Sequence, residues 1–264
     1  MKRLPIIIVV LLALAALLAG CNNTGAPSTP STPSQPTTPA APTAAQLSLG
    51  GKLYDSWMKA ANVATPAGNS PLWSSQTTNT RTGADTWRCK ECHGWDYKGK
   101  DGAYGKGSHA TGFPGVFNAA TTKTTAQLES ALKGSPNANH NFSTYLNADQ
   151  ISALAAFLKN GAVTDMAQYI DYTTKKPKSA DAVKGKTLYD TNCSACHGAD
   201  GKLLNFGDAA APEFVGTIAV DNPWEFFHKT RFGQPGNVMP SGVEQGWTIQ
   251  QMMDILAHSQ TLPK

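Results

Sequence analysis

Cysteine and strand-like patterning are both scarce in this 264-residue chain, and each scarcity excludes something. Five cysteines are present: Cys21 near the start, and two close pairs, Cys89/Cys92 and Cys193/Cys196. Once each has the role argued below, none remains for a disulfide framework or a free catalytic thiol. Alternation of apolar and polar residues is rare, which leaves little for a β-sheet and points to helices joined by long loops. There is no dense basic stripe among the 22 Lys and Arg, so nothing suggests nucleic-acid binding.

What is present is a short motif, twice. Cys89-Lys-Glu-Cys92-His93 and Cys193-Ser-Ala-Cys196-His197 are both C-x-x-C-H runs, the attachment signature of c-type haem. Two thiols add to the porphyrin vinyl groups, and the adjacent imidazole binds the iron from the proximal side. The spacing lets one tight turn present both sulfurs to one edge of the ring. The alternatives are a single four-cysteine zinc site and a thioredoxin-like redox pair. Zinc does not need a histidine directly after each pair, and a redox pair does not need duplication.

The first twenty residues carry Lys2 and Arg3, an apolar run from Leu4 to Leu18, and then small residues, the pattern of an export signal. Leu18-Ala19-Gly20-Cys21 resembles the bacterial lipoprotein box, which implies cleavage before Cys21 and lipid modification of its thiol. An uncleaved N-terminal anchor helix is the alternative, and either tethers the body outside the cytoplasmic membrane. Residues 21–45 continue in Thr, Ser, Pro and Ala with almost no large apolar group. Such a segment buries too little surface to offset its ordering entropy and reads as a flexible linker.

The remainder divides into two copies of one plan, residues 46–172 and 180–264, joined by a Lys/Pro-rich linker at 173–179. Gly51-Lys-Leu-Tyr54-Asp55 matches Gly185-Lys-Thr-Leu-Tyr189-Asp190, each a helix start with its tyrosine facing inward. The second copy runs from this helix straight into Cys193. The first has an insertion at about 60–86, and long ordered loops are usually functional. Each copy closes with a helix, one ended by Asn160-Gly161 and the other begun by Thr248.

Both copies resemble class I cytochrome c domains: a helix into C-x-x-C-H, haem-wrapping loops, a distal ligand and a closing helix. The fold class is accordingly mostly α, with two tandem domains and two covalently bound haem c groups. The resemblance implies that Gly236-Asn-Val-Met239-Pro240 supplies a distal sulfur from Met239. The first copy has no methionine between His93 and its closing helix. Aligning Ser135-Pro136 with Gln234-Pro235 places His140 on Met239, with His109 as rival and Met58 a weaker one. The resemblance also implies that carbonyls at Pro114 and Pro212 orient the proximal histidines. Trp87, Trp95, Tyr97 and Phe113 are candidates to line the first haem, and Trp224, Phe226, Phe227 and Trp247 the second, each reading equally well as ordinary core. Arg81 and Arg231 are candidates for haem propionates, a solvated surface being the other reading. Met252 and Met253 read as core residues of the last helix, and His228 and His258 as packing or surface.

A thioether favours Fe(II) and a second imidazole favours Fe(III), so a His197/Met239 haem lies higher in potential than a His93/His140 haem. Loss of Lys2 and Arg3 and the addition of about four propionate charges leave the mature protein near neutral or mildly acidic. The reading that follows is an extracytoplasmic electron carrier, lipid-anchored to a bacterial membrane, in the periplasm or at the outer cell surface. Its partners are redox proteins met through small, transient interfaces, and it requires no small-molecule substrate. The alternatives are a dihaem peroxidase-type enzyme and a fixed electron-entry subunit of a dehydrogenase or oxidase.

Overall fold

The computed structural model describes residues 40–264, so the proposed signal peptide, Cys21 and most of the 21–45 linker lie outside the described residues. Among the described residues ten α-helices follow one another: α1 (Ala44–Ala60), α2 (Cys89–His93), α3 (Phe117–Thr122), α4 (Thr125–Leu132), α5 (Ala148–Asn160), α6 (Ala182–Asn192), α7 (Ser194–His197), α8 (Val215–Asp221), α9 (Pro223–Phe232) and α10 (Ile249–Ser259). Among the described residues there is no strand, only three isolated β-bridges. The architecture is mostly helical, as the scarcity of alternation predicts.

Two helix crossings organise the molecule, α1 on α5 and α6 on α10. Each requires a glycine. A methyl group at Gly50 would overlap the Ala153 carbonyl and the Phe157 side chain, and one at Gly185 would overlap the Asp254 carbonyl and lie 3.1 Å from His258 Cβ. Both pairs are spaced by four residues on the facing helix. Gly50, not Gly51, is therefore the counterpart of Gly185, which corrects the register by one. Gly51 instead faces Phe232, where α1 meets α9.

The two tyrosines have matching roles. Tyr54 donates to the Gly94 carbonyl at 2.6 Å, and Tyr189 to the Gly198 carbonyl at 3.0 Å. Both acceptors follow directly on the motif histidines, at φ +76° and +82°, backbone that favours glycine. The closing helices α5 and α10 start alike, with reciprocal capping at Asn147/Gln150 and Thr248/Gln251. Helix α5 ends at Gly161 as expected, but at φ −97°. Glycine is needed there because Phe157 leaves no room for a side chain.

Residues 41–264 pack as one unit. Helix α9 lies against α1, and Tyr54, Tyr97, Phe157, His228 and Phe232 form a shared aromatic cluster with ring centroids 5.0–5.9 Å apart. His228 is fully buried within it: Nε2–H donates to the Gly51 carbonyl at 3.0 Å, so Nδ1 accepts from the Tyr97 hydroxyl at 2.8 Å. The 173–179 segment is a fastened turn. The Gln260 amide donates to the Lys175 carbonyl, and the Lys175 ammonium donates to the Asp221 carbonyl.

Candidate haem sites

The first C-x-x-C-H run is helix α2 itself, a single turn that puts Cys89, Cys92 and His93 on the wall of a cavity of about 240 Å³. Pro114, Phe113, Ala131, His140 and Phe142 also line it. The chain after His93 folds back on itself: Gly99 N–H donates to the His93 carbonyl, and Gly99 pairs with Pro114 in an antiparallel bridge. This brings the Pro114 carbonyl to His93, whose Nδ1–H donates to it at 2.6 Å. The orientation expected of Pro114 is thus present. His140, which lines the same cavity, is held in the same way, its Nδ1–H donating to the Ala131 carbonyl at 3.0 Å.

With both Nδ1 atoms engaged, each ring keeps Nε2 as its free nitrogen. The two ring centroids are 6.3 Å apart. Two metal–imidazole bonds of about 2 Å, with the radius of each five-membered ring added, come to about 6 Å. The residues therefore fit a haem iron between His93 and His140, beside two thiols. Desolvation pulls the His93 imidazole down to about 4, an effect His140 adds to and the Pro114 carbonyl opposes, so the ring is neutral at pH 7 as a ligand must be. Burial pushes the thiols of Cys89 and Cys92 up to about 12.

The insertion supplies part of this wall. Ser70, Leu72 and Thr86 line the cavity, and Trp73 anchors the segment by donating Nε1–H to the Arg81 carbonyl. Trp87 and Phe113 line the cavity as expected, whereas Trp95 and Tyr97 lie in the core. His109 is engaged elsewhere, stacked on Tyr104 at 4.2 Å and 3.4 Å from the buried Glu91 carboxylate. Arg81 pairs with the same Glu91, and Arg231 donates to the Gly161 carbonyl and to Thr164. Neither arginine faces the cavity, and Met58 is a buried core residue.

The second run follows α6 directly. Cys193 ends that helix, and α7 carries Cys196 and His197. His197 lies 5.8 Å from the Phe206 ring, and its Nδ1 is buried with no partner; Pro212 does not orient it as Pro114 orients His93. Burial lowers the His197 imidazole and pushes the Cys193 thiol up to about 11. Around the motif, Leu203, Leu204 and Phe206 are all exposed. An orphaned ring nitrogen, two thiols and uncovered apolar side chains fit a flat apolar cofactor. Met239 is half-buried in a separate loop, after α9, that leans on α1 through Gly233 and Gly236. Trp224 and Phe227 are core residues, as are Met252 and Met253.

A helix ending in two thiols and a histidine, crossed by a closing helix, defines a c-type haem attachment unit. Residues 182–263 match the family model for cytochrome c, and this segment is a cytochrome c domain. It implies covalently bound haem c and a part in electron transport. No curated protein and no solved structure matches the chain.

Proposed function

We propose that the protein is a dihaem c-type cytochrome carrying electrons between extracytoplasmic redox proteins, anchored to a bacterial membrane through Cys21. The second haem belongs to the cytochrome c domain, bound by Cys193, Cys196 and His197 with Met239 as distal ligand. The first is bound by Cys89, Cys92 and His93 with His140. When bound, each haem stores and passes one electron at its iron.

The observation that carries the first site is the pairing of His93 and His140. Two rings 6.3 Å apart face one cavity, each with Nδ1 tied to a backbone carbonyl, beside two thiols. The repeated crossings, Gly50 with Gly185 and Tyr54 with Tyr189, support reading the first half as a second, diverged copy of the same domain. Ligands of different strength at the two sites give a lower-potential His/His and a higher-potential His/Met haem.

The test is a reductive titration of the full-length holoprotein with haem absorbance, repeated under carbon monoxide. Two separate reduction steps and no carbon monoxide adduct are expected, since four protein ligands fill the axial positions. One haem per chain would overturn the dihaem reading. An adduct at the lower-potential haem would overturn His140 as a firm ligand and favour a peroxidase-type enzyme.

A further inference from the structure

Three charged or polar side chains link the two sites through one carboxylate. Asp55, on α1, is fully buried. One of its oxygens pairs with Arg88, which directly precedes Cys89, lines the first cavity and also donates Nε–H to the Asp55 carbonyl at 2.9 Å. The other oxygen accepts from Lys229 on α9 at 2.7 Å. Lys229 in turn donates to Gln234 Oε1 at 2.5 Å, and Gln234 opens the loop that carries Met239. Between Gly233 and Pro240 this is the one side-chain hydrogen bond among the described residues, while Gly236, Asn237 and Val238 are exposed. The far limb of the loop is held differently, by Ser241, Gly242 and Val243 bonding back to Thr230 and Arg231.

A buried ion cluster is no more stabilising than apolar residues of the same volume, so stability alone does not explain a carboxylate here. Its directional bonds do fix positions. Resting on the ligand assignment above, we propose that Asp55 is a positioning residue shared by the two haem sites. Through Arg88 it holds the start of the helix bearing Cys89, Cys92 and His93, and through Lys229 and Gln234 it seats the loop that presents Met239. The sulfur ligand of the second haem then depends on a residue of the first half.

The test compares full-length holoprotein with Gln234→Ala, Asp55→Asn and, as control, Asn237→Ala, an exposed position of the same loop. The readouts are the two reduction potentials, the sulfur-to-iron charge-transfer absorbance of the oxidised protein, and carbon monoxide binding. Gln234→Ala is expected to lower the higher potential by a tenfold change in equilibrium, about 59 mV for one electron, and to weaken the sulfur band. It leaves the lower potential and the melting temperature unchanged. Asp55→Asn disturbs both potentials, and Asn237→Ala neither. A Gln234→Ala protein with parental potentials, sulfur band and carbon monoxide resistance overturns the proposal, even where Asp55→Asn does not fold. A parent protein without the sulfur band overturns the Met239 assignment itself, and the inference with it.

Discussion

The helix crossings offer the sharpest structural prediction, because the same change can be made in both halves. Gly185→Ala would put a methyl group into the Asp254 carbonyl, and Gly50→Ala into the Ala153 carbonyl. The obstacle in each case is helix backbone, which cannot swing aside as a side-chain tip would, so the helices must separate. A gap of about 0.5–1 Å forfeits a quarter to a half of each dispersion contact across it. Buried Tyr189, Ile255 and Leu256 sit along the α6–α10 crossing, and Leu53, Tyr54, Leu154 and Phe157 along α1–α5. Overpacking of this kind costs about 3 kcal/mol. Replacing a helical glycine by alanine returns about 1 kcal/mol, leaving a net loss of roughly 2 kcal/mol. For a unit of this size that lowers Tm by about 4–8 °C. Thermal melting followed at 222 nm and by haem absorbance measures it. An unchanged or higher Tm in either variant would refute the close approach, because helix propensity would then be the only effect left.

Two further expectations concern the core and the insertion. Burial depresses the fully buried His228 from its ordinary 6.5 to about 3, an effect that nearby Lys229 and Arg231 add to and Asp55 opposes. The unfolded chain then binds the extra proton between these values, so stability is lost as pH falls from 6.5 toward 3, by roughly 4 kcal/mol at the end of that range. Urea titrations at pH 7, 5.5 and 4 should show the decline, and His228→Gln should flatten its upper part; parallel curves for the two proteins would refute it. Trp73→Ala removes the buried anchor of the insertion at a cost of about 3–5 kcal/mol to that segment. Limited proteolysis should then cut between residues 64 and 84 while residues 182–263 stay intact, and resistance equal to the parent would show that the anchor lies elsewhere.

The haem chemistry was legible because it depends on residue types at short spacing. Two thiols and an imidazole within five residues need only one helical turn to converge, and α2 and the Cys193–His197 segment provide it. The place of His140 on the cavity wall beside His93 follows from a different signal: a repeat carries register information, and aligned prolines put it at the position of Met239. The glycine register shifts by one between sequence and structure because consecutive glycines at 50 and 51 are equivalent until the facing helices are known. The contacts between the halves were not legible. Asp55, Arg88 and Lys229 have the composition of a solvated surface, and burial reverses their meaning only through a pairing 174 residues apart in sequence. His228 likewise looked like packing or surface, and nothing local marks it as the bridge between Tyr97 and Gly51.

That interface changes how the two sites relate. Two domains on a polar linker suggest bodies that swing, in which case the two proposed haem sites would approach each other only through a docking event. The 173–179 turn is instead tied to Asp221 and Gln260, and α1 shares with α9 both an aromatic cluster and the buried Asp55–Lys229 pair. Opening this contact would expose Tyr54, Tyr97, Phe157 and Phe232 and take Lys229 away from Asp55, which keeps only Arg88. Exposing a large apolar side chain costs about 1.5–3 kcal/mol, and several would be exposed together, so separated halves are a minor population at equilibrium. The distance between the two motifs is therefore a property of the fold.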